Sequence, residues 1–339
     1  MLELLQQASG HVGDKISVII PCYNREKYIA ECLDSIFAQT IPLEMLEVIV
    51  VDDMSTDRTR EILMNYEKRY PDNLMLVFCE EQSGGYIGAV RNMGLSYAGG
   101  AYIAFVDSDD TLEPDMLMEL YKNALLYQTD IVCCGYRVID DQQTCLGEQK
   151  KQPCLYDCHD LLNAKALYMQ EGLSGYVWAK LYRREFLDAN RIVFPEDRHL
   201  SEDSFFHGLS LLTCGKYMCL EACLYNYRYN TAGVWNSDKA PDYIMECFHT
   251  QEELVRLAAE CAQGMEREIE WGVYGAVYGM MEKCSSMHQE QIFWEQMPYM
   301  KERLLSWFPD LEQNSYIYES KDAENIQLLK YLFDKDEVM

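Results

Sequence analysis

Tyr102-Ile103-Ala104-Phe105-Val106-Asp107-Ser108-Asp109-Asp110 decides the reading of this chain: an apolar run that ends in three carboxylates. Tyr102 to Val106 has the continuous apolar character of a strand buried on both faces, as in a parallel sheet. Asp107, Asp109 and Asp110 leave together where that strand stops, and ligands of open α/β sheets bind at that carboxyl edge. Three acids within four residues repel one another unless a cation or a set of donors lies between them. Hard oxygen ligands at this spacing suit Mg2+ or Mn2+ bridging to a phosphate. The same residues also suit a solvated turn ahead of a helix, because Thr111 and Pro114 read as a helix start.

The flanking sequence raises the weight of the first reading. Upstream, Lys15 to Ile20 is a β-branched strand that ends in the turn Pro21-Cys22-Tyr23-Asn24. Tyr28, Ile29, Cys32, Leu33, Ile36 and Phe37 then form the stripe of a helix packed on a sheet. Leu46 to Val51 is a second strand, ending in Asp52-Asp53, and Ser55, Thr56 and Asp57 cap a helix through Arg69. A third strand, Leu74 to Phe78, precedes Ser83-Gly84-Gly85, which opens a helix carrying Arg91 and Asn92 and stopped by Gly99-Gly100. Downstream, a helix from Pro114 to about Tyr127 leads to a fifth strand, Asp130 to Cys134. This alternation predicts an α/β fold with a mostly parallel central sheet and helices on both faces. Past Gly135 the alternation loosens, with a helix expected from Leu161 to Met169. From Pro241 the pattern is helical, with breaks near Gly264, Met287 and Pro309, and its aromatics (Trp271, Tyr274, Tyr278, Phe293, Trp294, Trp307) read as core.

Bulk composition limits the functions available. The chain has 339 residues, 49% of them hydrophobic, enough for one large domain or two ordinary ones. Its formal charge of -27 argues against a nucleic-acid binder or a protein that docks electrostatically on anionic membranes. An anionic small substrate would need a cation or a local basic cluster to offset that charge. Five of the fourteen cysteines, Cys22, Cys32, Cys79, Cys133 and Cys134, sit in apolar strand or helix patterns, and a signal peptide is not evident. Reduced thiols in a cytosolic protein are therefore expected. The C-x3-C pairs Cys154/Cys158 and Cys219/Cys223 fall outside the strong zinc signatures. No apolar run approaches the ~20 residues of a membrane span.

Three strand ends thus deliver chemistry to one sheet edge: Tyr23 from the first, Asp52 and Asp53 from the second, and the three acids from the fourth. A nucleoside diphosphate would use such groups, with an aromatic on the base, a carboxylate on a uracil imide N–H and acids holding the metal. Taken singly, Asp52 is equally a turn former and Tyr23 a packing residue. A dinucleotide fold would place G-x-G-x-x-G after the first strand, and that turn reads P-C-Y-N instead.

Ile19-Ile20-Pro21-Cys22-Tyr23-Asn24, Val51-Asp52-Asp53-Met54-Ser55-Thr56-Asp57 and Phe105-Val106-Asp107-Ser108-Asp109-Asp110 together resemble family 2 glycosyltransferases, inverting enzymes of the GT-A fold. The resemblance continues through Gly84-Gly85, Arg91-Asn92-Met93-Gly94, Trp178-Ala179-Lys180-Leu181-Tyr182-Arg183 and Ser201-Glu202-Asp203, covering about residues 15 to 230. It implies that Pro21 and Tyr23 line a base pocket, with Asp53 on the base edge and Asp52 beside it. Arg91 would position the nucleotide. In the D-x-D motif Asp109 would touch the metal, Mn2+ or Mg2+, and Asp107 the ribose or the ion. Asp203, paired with Glu202, would be the base that deprotonates the acceptor hydroxyl, although both acids also suit the start of a helix. Trp178 and Lys180 would shape the acceptor pocket or pack beneath it. Arg228 stands where such enzymes return a strand towards the site, but Thr231-Ala232-Gly233-Val234-Trp235 departs from the serine-containing segment expected after it.

The organisation expected on this basis is a leader at 1–14, a GT-A domain at 15–235 and a helical appendage at 236–339. The GT-A domain divides into a nucleotide half (about 15–135) and an acceptor half (136–235). The expected activity is transfer from a nucleotide-diphospho-sugar, a UDP-sugar, to a glycan or lipid-linked glycan. It would take place in the cytoplasm at the inner face of a membrane, with the C-terminal helices available for membrane or oligomer contacts. Rival readings are a catalytically silent sugar-nucleotide or protein-binding module, and a nucleotidyltransferase, which would want a basic glycine-rich loop where Pro21 to Lys27 stands.

Overall fold

A computed structural model describes residues 15–171, 175–229, 243–319 and 323–333. The expected leader and the segment Thr231–Trp235 lie outside these residues. The chain forms two compact units. The first takes in described residues up to 164 together with 176–197 and 213–229, and the second takes in 165–175, 198–212 and the residues from 243 onward.

The first unit is built on one sheet. β1 (Ile16–Cys22), β2 (Leu46–Asp52), β3 (Leu74–Phe78) and β4 (Tyr102–Phe105) pair in parallel in the order β3-β2-β1-β4. Successive side chains of β1 point to opposite faces, and both are covered. Ile16, Val18 and Ile20 pack with α1 (Ile29–Phe37), α2 (Thr59–Arg69) and α4 (Met116–Tyr127). On the other face Ile49 and Val51 of β2 pack with Val90 of α3 (Ile87–Tyr97). Gly94 of α3 lets that helix sit close, since a Cβ there would lie 2.4 Å from Ile19 Cγ2.

Beyond β4 the expectation of a mostly parallel sheet fails. After the short β5 (Thr111–Leu112) come β6 (Ile131–Ile139), β7 (Cys145–Gln149), β8 (Cys154–Asp157), β9 (Lys180–Arg183) and β10 (Lys216–Arg228). β9 inserts antiparallel between β4 and β6, so the fourth and fifth strands of the expected alternation never touch. β10 runs parallel to β6 but antiparallel to β5 and β8, and β7 turns back antiparallel on β6. The sheet is mixed. α6 (Arg184–Ala189) follows β9 directly, and α5 (Leu161–Glu171) lies between β8 and β9 in sequence.

The second unit is helical: α7 (Glu202–Thr213), α8 (Ile244–Cys261), α9 (Glu266–Ser286), α10 (Glu290–Trp307) and α11 (Ala323–Phe333). The breaks fall where the sequence predicts them, at Gly264 (φ 85°), Met287 and just before Pro309. Among the described residues no helix is long and apolar enough to cross a membrane.

Candidate active site

The loops leaving β1 and β2 are stitched to each other. Asn24 and Met54 adopt left-handed backbone (φ 51° and 61°), which non-glycine residues hold only when their neighbours fix them. Asn24 N–H donates to Ser55 Oγ (2.8 Å) and its Oδ1 accepts from Thr56 N (2.8 Å), while Arg25 N–H donates to Thr59 Oγ1 (2.7 Å). Pro21 is buried within β1, and Tyr23 projects from the edge, 41% exposed. Asp52 is fully buried. Its Oδ2 accepts from Ser55 N (3.2 Å) and from Arg60 Nε, so it faces into the turn it caps. Asp53 accepts Ser83 N on Oδ1 (2.7 Å) and Ser83 Oγ on Oδ2 (2.6 Å). It thereby fixes a turn that continues through Gly84 and Gly85, whose φ of 74° and 98° suit glycine alone.

At the end of β4 the three acids separate into different jobs. Asp107 and Asp109 keep partly exposed carboxylates. Arg91, itself buried, donates Nη2 to Asp107 Oδ1 (2.9 Å), and Arg25 Nε lies 3.7 Å from Asp109 Oδ2. Asp110 turns inward and accepts from the Tyr225 hydroxyl (2.6 Å) and from Arg228 N–H (2.7 Å). Burial, reinforced by repulsion from Asp107 and Asp109, pushes its carboxyl well above the usual range. The Tyr225 oxygen also accepts Asp107 N–H (3.2 Å), and Arg228 Nε donates to the carbonyl of Asp109 (2.8 Å). Arg228 further reaches Asp140 O (2.9 Å) and Glu31 Oε2. It is 2% exposed, an internal brace of the loop.

Trp178 and Lys180 sit in an aromatic layer on β6, β9 and β10. The Trp178 ring stacks on Tyr176 (3.8 Å), Tyr225 (4.7 Å) and Tyr227 (5.3 Å). Lys180, 1% exposed, holds Nζ 3.9 Å from the Tyr176 ring centroid and donates to the Tyr176 carbonyl.

Glu202 and Asp203 belong to the second unit and open α7, where negative charge suits the helix dipole. Glu202 is buried and Asp203 half-buried. The preceding residue, Ser201, is left-handed (φ 70°), and its Oγ lies 2.7 Å from Thr250 Oγ1 of α8. Arg198 Nη1 donates to the same Thr250 oxygen (2.7 Å) and Nη2 to Glu253 (2.7 Å), while Leu200 N–H donates to Glu246 Oε1 (2.9 Å). The loop that presents the acid pair is thus clamped to α8. A cavity of about 550 Å3 opens beside it, reached by Ser201, Glu202, Asp203 and Ser204.

A profile of the family described as "Glycosyl transferase family 2" matches residues 17–186. The chain belongs to glycosyltransferase family 2. Among curated relatives, the "Uncharacterized glycosyltransferase EpsJ" of Bacillus subtilis is 35% identical over 216 residues, 63% of this chain and 61% of EpsJ. The match therefore spans less than two thirds of that relative's own length. The S. aureus TarS 1–349 structure in complex with UDP-GlcNAc aligns over 94% of this chain and 80% of that one, at 25% identity and a TM-score of 0.61. The Pyrobaculum calidifontis mannosyltransferase PcManGT, in complex with GDP-Man and Mn2+, aligns over 95% of this chain and 88% of that one, at 18% identity and a TM-score of 0.53, a likeness of fold alone. The family-2 fold, GT-A-like, is the one the sequence motifs imply.

Residue-level reading missed Arg25, Ser83, Tyr225 and the clamp on α8. The Tyr225-Asn226-Tyr227-Arg228 run was visible, but its bond to Asp110 spans more than a hundred residues and needs the register of β10 against β5 and β6.

Proposed function

We propose that this chain is an inverting glycosyltransferase that moves a sugar from a nucleoside-diphosphate sugar, a UDP-sugar, to a hydroxyl of a glycan or lipid-linked glycan. The observation that carries this reading is the braced D-x-D loop. Asp107 and Asp109 leave the end of β4 with carboxylates partly exposed, and Asp110, Tyr225 and Arg228 lock the backbone beneath them. The UDP-GlcNAc bound by TarS supports the donor class.

The donor set fits a divalent cation. Asp109 and Asp107 offer hard oxygens from one rigid turn and would hold Mn2+ or Mg2+. Bound there, the ion supplies positive charge to the departing diphosphate. This chain's own residues do the remaining work. Tyr23 stacks on the base, and Pro21 and Asp52 act from below by fixing the strand end and the turn. Asp53, already ordered by Ser83, offers an acceptor to the uracil N–H. Arg91 and Arg25 set the two D-x-D carboxylates and bring positive charge towards the phosphates. Asp203 takes the proton from the acceptor hydroxyl as that oxygen attacks the anomeric carbon from the face opposite the diphosphate, the geometry an inverting displacement requires. Glu202, being buried at the first turn of α7, steadies that end of the helix. Trp178 and Lys180 support the acceptor side through the aromatic layer.

Thermal stability with UDP, GDP, dTDP, CDP and ADP, each with and without Mn2+, tests this. A ligand at 100 times its Kd stabilises by roughly 2.7 kcal/mol if it binds only the folded state. A metal-dependent shift with UDP alone is the expected result; no shift with any diphosphate would sink the reading. Asp203→Asn should keep that shift and lose transfer.

A further inference from the structure

Fourteen cysteines are more than the transfer chemistry uses. Cys133 of β6 and Cys219 of β10 are cross-strand partners whose Sγ atoms lie 3.4 Å apart. Both are 0% exposed, so a reagent in water reaches neither. A second contact differs in this respect. The Sγ atoms of Cys158 and Cys214 lie 3.8 Å apart, and while Cys214 is buried, Cys158 is only half-buried where β8 ends.

The backbone holds this pair in place from both sides. β8 runs antiparallel to β10, with Asp157 opposite Lys216. One step further, Cys158 N–H donates to the Gly215 carbonyl (2.8 Å), beside Cys214. The two segments approach closely there, since a Cβ on Gly215 would lie 2.8 Å from His159 Cε1. Asp130 Oδ2 accepts Gly215 N–H (2.7 Å) and Lys216 N–H (3.0 Å), and its Oδ1 takes Arg183 Nη2, so the turn carrying Cys214 is anchored. The thiols also divide the roles that exchange requires. The hydrogen bond between them holds Cys158 below the ordinary cysteine value, outweighing burial and the carboxylates of Asp157 and Asp130. The same bond, together with burial, pushes Cys214 well above it. The thiolate is the nucleophile, so the reachable member attacks and the buried one resolves.

We infer that Cys158 and Cys214 are a modification site, a dithiol that a low-molecular-weight disulfide converts reversibly into an intrachain disulfide. The Cys158 thiolate attacks one sulfur of the small disulfide and expels the other as a thiolate. Cys214 then gives up its proton and attacks the Cys158 sulfur of the mixed disulfide, releasing the second small thiol. Two electrons pass from the protein to the reagent, and the two protein sulfurs close from van der Waals contact to about 2.0 Å. The bond closes a loop over residues 158–214. That loop contains the excursion 198–212, and α7, which opens with Glu202 and Asp203, ends at Thr213, one residue before Cys214. Oxidation therefore ties the end of α7 to the turn between β8 and α5. It also removes freedom from the unfolded chain, which raises stability. None of this depends on the function proposed above.

Incubating the reduced full chain with oxidised glutathione tests this. After alkylation in denaturant and digestion with trypsin, mass spectrometry should find residues 152–165 joined to residues 199–216, with fragmentation placing the bond on Cys158 and not on Cys154. Cys133 and Cys219 should be recovered alkylated. Cys214→Ser should stop at the mixed disulfide, with glutathione on Cys158, and Cys158→Ser should leave Cys214 unmodified. Cooperative melting of the reduced variants shows that they are folded; should Cys214→Ser fail to melt so, Cys158→Ser, at a half-buried position, carries the test. The oxidised chain should melt several degrees above the reduced one, and dithiothreitol or either substitution should remove that gap. The inference is overturned by the absence of the linked peptides, by a bond on Cys154, or by oxidation of Cys133 and Cys219 at the same rate. Glutathione on Cys214 in Cys158→Ser, or an oxidised chain that melts no higher than the reduced one, overturns it equally.

Discussion

Tyr225 and Arg228 hold the loop after β4 from more than a hundred residues away in sequence. Tyr225→Phe removes the hydroxyl that donates to Asp110 and accepts from Asp107 N–H. It leaves two buried groups short of a partner, at a cost of about 1–3 kcal/mol. A fall in melting temperature together with a loss of UDP affinity is expected; a variant as stable as the parent would refute the brace. Asp109→Asn should behave differently. Its carboxylate is partly exposed and lies 3.7 Å from Arg25, so the fold should hold while the Mn2+-dependent part of the UDP shift disappears. At this scale the sequence made Asp107 and Asp109 legible, because a D-x-D after an apolar strand has a local pattern. The inward turn of Asp110 was not legible. It depends on partners in β10, and no local spacing encodes which of three adjacent acids a distant tyrosine will reach.

Two glycines on two helices make opposite predictions from the same substitution. Gly94 of α3 lies against Ile19, and Gly94→Ala should destabilise by about 1–3 kcal/mol through overpacking. Gly275 of α9 faces open space, and Gly275→Ala should stabilise by about 0.5–1 kcal/mol through helix propensity. Denaturant midpoints would decide both signs. α8 and α10 are joined by Glu252, which takes His249 on its own helix and Arg303 Nε (2.8 Å) from α10. Burial pushes this carboxyl up, but those two hydrogen bonds outweigh it and hold it below its ordinary value. Its stabilising effect is therefore present above the usual glutamate pKa of about 4.3 and is lost as pH falls through the lower folded value. The melting-temperature gap between wild type and Glu252→Gln should close on going from pH 7 to pH 3; a constant gap would exclude the linkage. Element existence was readable from periodicity, from β1 through α4 and again along α8 to α10. Strand direction was not. β9 is four residues long, too short for its pattern to say whether it runs with its neighbours or against them, and that one insertion turns a parallel sheet into a mixed one.

The molecule as a whole carries 56 acidic against 29 basic side chains. Self-repulsion on this scale is screened by salt. Raising ionic strength from about 0.01 to 0.15 M shortens the Debye length from about 30 to 8 Å and should raise the melting temperature. An unchanged or lower value would mean that the acids are already neutralised by local pairing. The acidic balance was read from composition and the C-terminal helical region from periodicity, whereas the excursion of residues 198–212 out of the first unit and the return at 213–229 was not, because it rests on tertiary contacts. That interleaving and the antiparallel β9 have a consequence for synthesis. β1, β2, β3 and β4 can pair with one another as soon as the chain has reached residue 105. Ile131, Val132 and Cys133 of β6 find their sheet partners only in β9 and β10, so on the ribosome this strand must wait, apolar and unpaired, until residues 180–219 have emerged. Closing such long loops is slow, and waiting strand edges are where chains go astray. The half of the sheet that braces the loop after β4 is therefore the last part of the sheet to form, and Asp107 and Asp109 are fixed in place only after more than a hundred further residues have been made.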